Sequence, residues 1–312
     1  MKAAIIKEQN TIPTLGNFKN PENKDKFKIV NVTATALSNF SKSSSMGKHY
    51  SSTNEFPLIA GTDGVGTLED GTRIYFGKTE KPYGSIAEQT LVNEKLILPI
   101  PDNLDDVTAA AIANPGMSSW AALKYRAQIK AGQVVLINGA TGVAGSLAIK
   151  VARELGAKKV FISGRNEDNL KKLDAEGYAV IGNNFENDLN KILSDNSIDI
   201  VLDYLWGESS LSIMKLIATA SSGKPTKFVS IGTASGETEI NLPSTLLRSS
   251  MIEILGSGVR SVSMKVLFMS ISELFDWAGN NNITVPTSKF SIEQIEEAWS
   301  APNNPRAVIV VK

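Results

Sequence analysis

The stretch from Val134 to Arg165 leaves this chain few folds to choose from. Val134-Val135-Leu136-Ile137-Asn138 is an apolar, β-branched run, and Gly139-Ala140-Thr141-Gly142-Val143-Ala144-Gly145 follows at once. Leu147, Val151 and Leu155 then recur at helical spacing, and Val160-Phe161-Ile162-Ser163-Gly164-Arg165 is a second apolar run ending in a cation. Strand, glycine turn, amphipathic helix and strand is the reading that fits each of these patterns. Ala140-x-Gly142-x-x-Gly145 has the Gly-x-Gly-x-x-Gly layout with alanine in the first slot. Gly142 lets the backbone approach a pyrophosphate, and Gly145 lets the helix pack close to the strand. The free amides at the start of that helix, with Thr141, Val143 and Ala144 around them, then face negative charge. Arg165 follows Gly145 by 20 positions, where a ribose-reading residue belongs. An acid there would bind the 2′-hydroxyl of NAD. Arg165, flanked by Gly164 and Asn166, suits a 2′-phosphate instead. The unit therefore predicts a dinucleotide site with NADPH as the cofactor.

The same alternation continues downstream. Strands are expected over 134–138, 159–163, 178–181, 198–203, 227–231 and 251–256. Helices are expected over 142–155, 167–175, 189–193 and 208–220. Six strands with crossovers of this kind predict an α/β fold with a doubly wound, six-stranded parallel sheet. The first hundred residues read instead as short strands and turns: 2–6, 28–34, 66–68, 73–76, 86–92 and 95–98. The segments 104–113 and 117–129 read as helices interrupted at Asn114-Pro115-Gly116. The serine-rich 41–45 segment reads as a surface loop. The tail reads as a helix (264–278), a strand (287–290), a helix (292–299) and a strand (306–311). This gives a β-rich domain from 1–113 with 261–312, and a dinucleotide domain over 114–260. A cleft is expected between them, at the carboxyl ends of the parallel strands.

Composition removes several classes of function. The 312 residues, 42% of them apolar, are enough for two cores. Lys and Arg number 32, as do Asp and Glu, so no polyanion footprint is present and neither nucleic acid nor an acidic membrane is an expected partner. There is no cysteine and one histidine, which removes disulfides, thiolate nucleophiles and cysteine-ligated zinc. No apolar run reaches the ~18 residues of a membrane span. The apolar run at the N-terminus is too short for a signal peptide. A soluble, cytoplasmic protein is the expectation.

Several strings, in their order, resemble the medium-chain dehydrogenase/reductase superfamily. They are Phe56-Pro57-Leu58-Ile59-Ala60-Gly61-Thr62-Asp63-Gly64-Val65-Gly66, Tyr83-Gly84-Ser85-Ile86-Ala87-Glu88, Asn114-Pro115-Gly116-Met117-Ser118-Ser119-Trp120, the Gly139 to Gly145 turn, Asp199-Ile200-Val201-Leu202-Asp203, Ile231-Gly232 and Leu255-Gly256-Ser257. The resemblance is to the zinc-independent NADPH:quinone oxidoreductase-like branch. It implies a Rossmann sheet nested within a β-rich, GroES-like catalytic domain. It also implies reduction of small electrophilic acceptors, quinones or α,β-unsaturated carbonyls. Zinc-dependent members carry Cys near the Asn39 region and His-Glu where this chain has Thr62 and Asp63. A catalytic zinc needs three protein ligands, so no metal site is expected here, and metal-assisted alcohol oxidation is not expected either.

For the acceptor, the resemblance implies an Asn followed eleven residues later by a Tyr; Asn39 and Tyr50 keep that spacing. A second register, anchored on Gly47, puts His49 in the Tyr slot. The acid common in relatives is absent in either, replaced by Lys42 or Ser41. Tyr50 would donate a proton or a hydrogen bond to the acceptor oxygen, and Asn39 would polarise it. Gly232, Thr233, Gly256 and Ser257 are implied at the nicotinamide ribose and carboxamide. Trp206 is placed to pack or to wall the cofactor site. Asp203 lies toward the adenosine or caps a helix. The edge strand with Ile252 and Ile254 implies a homodimer paired across a two-fold. Two other readings stand beside the reductase: a zinc-type alcohol or aldehyde dehydrogenase homologue, and an NADPH-binding redox sensor with little catalysis.

Overall fold

The structure is a computed structural model that describes residues 1–48, 52, 55–220 and 223–311. The chain divides into two compact units: residues 1–114 with 271–312, and residues 115–270. The second junction lies at Ile271, inside the helix Met264–Asn281, rather than at 261. A loop was the natural place to expect it. The chain instead changes units along a continuous helix, which gives no compositional signal.

The 115–270 unit is built on a six-stranded sheet, parallel throughout. Its spatial order is Gly177–Val180, Lys159–Gly164, Val134–Asn138, Ile200–Asp203, Thr226–Ser230 and Ile252–Gly256. The strand that enters the glycine turn is central, and the order reverses on either side of it. That reversal opens a crevice at the carboxyl ends of the strands. Register places Asn138 opposite both Ser163 and Asp203, so three polar side chains share one row at that edge. The helix Val143–Glu154 buries Val143, Leu147, Ile149 and Val151. The helix after the third strand, Phe185–Asp195, exceeds the expected 189–193 because Phe185, Leu189 and Ile192 make one buried face. The helix expected over 167–175 is a single turn, Glu167–Leu170. Its continuation tightens instead: the amides of Lys172 and Leu173 bond back three residues, to Asn169 and Leu170.

The other unit holds a seven-stranded sheet. Thr287–Ser291, Arg306–Val310, Phe27–Ala36, Asp63–Thr67, Arg73–Gly77 and Ile97–Pro99 follow one another, and Gln89–Asn93 pairs with Phe27–Ala36. A three-stranded sheet of Thr14–Asn17, Lys2–Ile6 and Leu58–Ile59 accompanies it. Ile6, Phe76, Ile86, Trp299 and Ile309 are among the buried residues of its core.

Two local expectations are corrected. The serine-rich segment is not a loop but a helix, Asn39–Ser45. Serine favours caps, and here the hydroxyls serve as such: Ser38 Oγ accepts from the Ser41 amide, and the Ser38 amide donates to Ser41 Oγ. The helix Asp106–Trp120 also continues through Pro115, followed by a π-helical stretch, Ala121–Ala127. Ser118 and Ser119 hydroxyls donate to the carbonyls of Pro115 and Gly116, at 2.7 and 3.0 Å.

Candidate functional site

Gly139 begins the turn at φ 94°, a left-handed conformation that favours glycine. Its amide and that of Ala140 both donate to the Ser163 carbonyl, at 3.0 and 2.9 Å, which anchors the turn to the neighbouring strand. Ala140 is fully buried, so its part is structural. Gly142 is exposed at the helix N-cap, and no side chain caps the first turn. A Cβ on Gly142 would meet nothing of the protein nearer than the Gly139 carbonyl oxygen at 4.0 Å. Gly145 is the opposite case: a Cβ there would lie 2.3 Å from the Gly139 oxygen and 2.6 Å from Ala140 Cα. The first turn of this helix has no side-chain cap and Gly142 opens onto free space, which is an anion-binding arrangement.

The next strand delivers its end to the same place. A Cβ on Gly164 would meet Thr141 Cγ2 at 3.0 Å. Arg165 is exposed and, among the described residues, has no hydrogen bond or ion pair. Asn166 Oδ1 accepts from the Asn169 amide at 2.9 Å, so its acceptor end caps a helix and its amide group remains.

Asp203 resolves in favour of a structural role. It is fully buried, and Asn138 Nδ2 and Ser210 Oγ donate to its two oxygens, each at 2.8 Å. The amides of Leu205 and Trp206 donate to it as well, at 3.1 and 3.2 Å. Burial raises its pKa, and the Ser210 and Asn138 bonds partly offset this. These bonds hold Trp206 at φ 61°. The 204–206 segment in turn touches both glycine loops. A Cβ on Gly139 would meet Leu205 Cδ2 at 2.9 Å, and one on Gly232 would meet the Tyr204 oxygen at 2.9 Å. Thr233 is exposed beside Gly232. Gly256 and Ser257 follow the far edge strand; the Gly256 carbonyl accepts from Arg126 Nε, and the Ser257 amide donates to Ser230. Tyr204 and Leu205 are the parts that spacing alone missed; Gly139 and Trp206 were singled out in the sequence.

On the other unit, Asn39 is exposed at the first position of its helix. Tyr50 and His49 lie outside the described residues. Both residues in the slot of the missing acid are engaged within the protein. Ser41 is buried in the capping box, and Lys42 Nζ donates to the Trp299 carbonyl at 2.6 Å, with burial lowering its pKa. Ser45 Oγ accepts from the Gly61 amide at 2.9 Å, which fixes this helix beside Thr62. Thr62 Oγ1 donates to Asp63 Oδ1 at 2.8 Å, and Tyr75 donates to Oδ2 at 3.1 Å. Among the described residues, no group of three His, Cys, Asp or Glu side chains could hold a metal ion.

No family model matches the chain. In sequence it is similar to the human quinone oxidoreductase, 27% identical over 216 residues, which is 65% of this chain and 63% of that protein. It is similar to a probable NADPH-dependent quinone reductase of Emericella nidulans, 27% identical over 223 residues, 67% of this chain and 62% of that protein. The matched part thus spans under two thirds of these relatives' length. In structure it is similar to the quinone oxidoreductase of Thermus thermophilus, solved also in complex with NADPH. There the TM-score is 0.80 at 22% identity, over 99% of this chain and 100% of that one. The fold is that of quinone oxidoreductases, as the motifs predict.

Proposed function

We propose that this chain is an NADPH-dependent reductase of small electrophilic acceptors, quinones or α,β-unsaturated carbonyls, acting without zinc. The observation that carries the reading is an uncapped helix N-terminus behind an open Gly142, with an Arg165 unpartnered among the described residues at the end of the next strand. Pyrophosphate fits the first and a 2′-phosphate the second. When bound, NADPH supplies a hydride from its nicotinamide C4. The chain's own residues do the rest. The amides of Val143, Ala144 and Gly145 hold the pyrophosphate, and Thr141, Gly164 and Asn166 line the approach to the ribose. Gly232, Thr233, Gly256 and Ser257 orient the nicotinamide half, and Asn39 and Tyr50 hydrogen-bond the acceptor oxygen as it gains charge.

The direct test follows nicotinamide absorbance of NADPH and, separately, NADH against a panel of quinones and enones. NADPH-selective oxidation is the expected result. Binding without turnover would leave the redox-sensor reading instead. Arg165→Ala is expected to weaken NADPH by about 10- to 100-fold, the worth of a charged hydrogen bond to phosphate, and to leave NADH unchanged. Equal losses for both would remove Arg165 from that role. Elemental analysis is expected to find no stoichiometric zinc; one zinc per chain would favour the alcohol dehydrogenase reading.

The proposal extends to assembly and location. Ile252–Gly256 is an edge strand with Leu247 and Met251 exposed beside it, and pairing with a second copy would cover both edge and apolar side chains. Sedimentation is expected to give a dimer, and Ile254→Lys a monomer. Among the described residues no helix is long and apolar enough to cross a membrane, and a cytoplasmic site of action is part of this reading.

A further inference from the structure

We propose that Thr62 and Asp63 are the proton-delivery pair of this protein, with Thr62 Oγ1 protonating the acceptor oxygen and Asp63 resupplying it. The assignment rests on the reductase reading above. Each two-electron reduction of a quinone or enone leaves charge on oxygen, so each turnover needs one proton. A relay must therefore reach the surface of its unit at one end and hold a titratable group at the other.

The pair meets both conditions. Thr62 and Asp63 are each partly exposed, and Thr62 Oγ1 donates to Asp63 Oδ1 at 2.8 Å; once Asp63 takes up a proton the same bond reverses, and the Thr62 hydroxyl is free to turn to the acceptor. The Asn39–Ser45 helix is fixed next to them through the bond from Gly61 to Ser45. Behind the pair stand the other groups that face Asp63: Tyr75, buried and donating to Oδ2, and the Arg306 guanidinium. Tyr75 is a poor proton source, because burial and the neighbouring Asp63 carboxylate push its pKa well above the ordinary value. Arg306 is 6% exposed, and among the described residues its buried Nε has no hydrogen-bond partner. Burial lowers its pKa to about 10, with Asp63 and Tyr75 acting in the opposite direction. A cation held beside Asp63 without a direct ion pair stabilises the carboxylate that remains after each transfer. Burial raises the Asp63 pKa above the ordinary carboxylate value, against the Thr62 and Tyr75 hydrogen bonds and the Arg306 charge, which lower it.

The step balances. The electron pair from hydride transfer comes to rest on the acceptor oxygen. The Thr62 O–H bond breaks as the acceptor O–H bond forms. The Asp63 O–H bond breaks as the Thr62 O–H bond re-forms. Asp63 is left as a carboxylate and regains its proton from water.

The test uses Asp63→Asn, Thr62→Val and Thr62→Ser in the full chain. It reads the pH profile of kcat with a quinone, the solvent deuterium effect, and NADPH affinity by nicotinamide fluorescence. Asp63→Asn and Thr62→Val are expected to lower kcat by about 100-fold, the lower range of general acid catalysis. They are also expected to abolish the loss of rate at high pH and to leave NADPH affinity within about two-fold of wild type. Thr62→Ser keeps the hydroxyl and is expected to keep the rate. Should Asp63→Asn fail to fold, the two Thr62 variants decide. A ¹³C titration of the aspartate carboxyls in the protein without cofactor is expected to show Asp63 titrating above the ordinary range. Wild-type kcat and pH profile in Asp63→Asn or Thr62→Val, or an Asp63 that titrates normally, would overturn the assignment. A wild-type protein that fails to oxidise NADPH with every quinone and enone of the panel overturns the reductase reading first, and this assignment with it.

Discussion

Gly145→Val is expected to lower affinity for NADPH and NADH alike, by about 100-fold, because it moves the phosphate cradle rather than a single contact. The added Cβ would lie 2.3 Å from the Gly139 carbonyl oxygen and 2.6 Å from Ala140 Cα. Both are backbone atoms, so no side-chain rotation relieves the clash. Gly139 cannot move aside freely either. Its amide is bonded to Ser163, and its φ of 94° already sits where few residues go. The helix must therefore retreat by about 1 Å, and losing its hydrogen bonds to a charged group, at about 1.5–3 kcal/mol each, costs on the order of 100-fold in affinity. Overpacking of this kind also costs roughly 1–3 kcal/mol of stability. Fluorescence titration of the reduced cofactors measures the first effect, and urea unfolding the second. Gly142→Ala separates cradle from contact. Its Cβ meets no close protein atom, so the fold is expected to keep its stability while pyrophosphate binding weakens. Unchanged affinity in Gly145→Val would mean that the phosphates do not lie on this helix.

How much of this was legible before the structure depends on the range of the forces involved. The glycine turn was legible because its constraint is local. A helix brought against a strand end leaves no room for a Cβ, and that requirement is written at Gly145 itself. The parallel sheet was legible for a related reason: buried β-branched runs alternating with amphipathic helices permit few arrangements. The Asn39–Ser45 helix was not legible, because serine is a weak helix former whose hydroxyls here find partners only in the folded state. Continuity through Pro115 was hidden in the same way, since the rule that proline breaks helices describes an isolated segment. The group around Asp63 illustrates the limit. Arg306 is far from Asp63 and Tyr75 in sequence, and strand pairing across one sheet brings the three together. Asp63 and Thr62 were visible only as residues that do not bind zinc. Their mutual bond, and what stands behind it, come from register.

Asp203→Ala is expected to destabilise the 115–270 unit by at least about 3 kcal/mol, the largest stability loss foreseen for one side chain. The carboxylate ends a buried relay across three strands: Ser163 Oγ donates to Asn138 Oδ1 at 2.7 Å, and Asn138 Nδ2 donates to Asp203 Oδ1 at 2.8 Å. Removing it leaves the Ser210 hydroxyl and the Leu205 and Trp206 amides without this acceptor, while Asn138 Nδ2 keeps Ser209 Oγ at 3.1 Å, and each unsatisfied buried group costs about 1–3 kcal/mol. For a unit of this size the loss corresponds to a fall in Tm of roughly 6–12 °C. Binding should suffer as well, since Leu205 packs on the glycine turn and Tyr204 on Gly232. Asp203→Asn tests the charge separately. Burial raises the carboxyl pKa in the folded state, so the folded protein holds this proton more tightly than the unfolded chain does. Asp203 therefore favours folding most at acid pH, and its contribution declines as pH rises through and above the ordinary carboxylate range. The asparagine variant lacks that decline, so the stability difference between it and wild type should shift in the variant's favour from pH 4 to pH 7, by about 1.4 kcal/mol for each unit of raised pKa. A difference that does not change with pH would mean that Asp203 titrates in the folded protein as it does in the open chain, and that the relay is held together without strain on its charge.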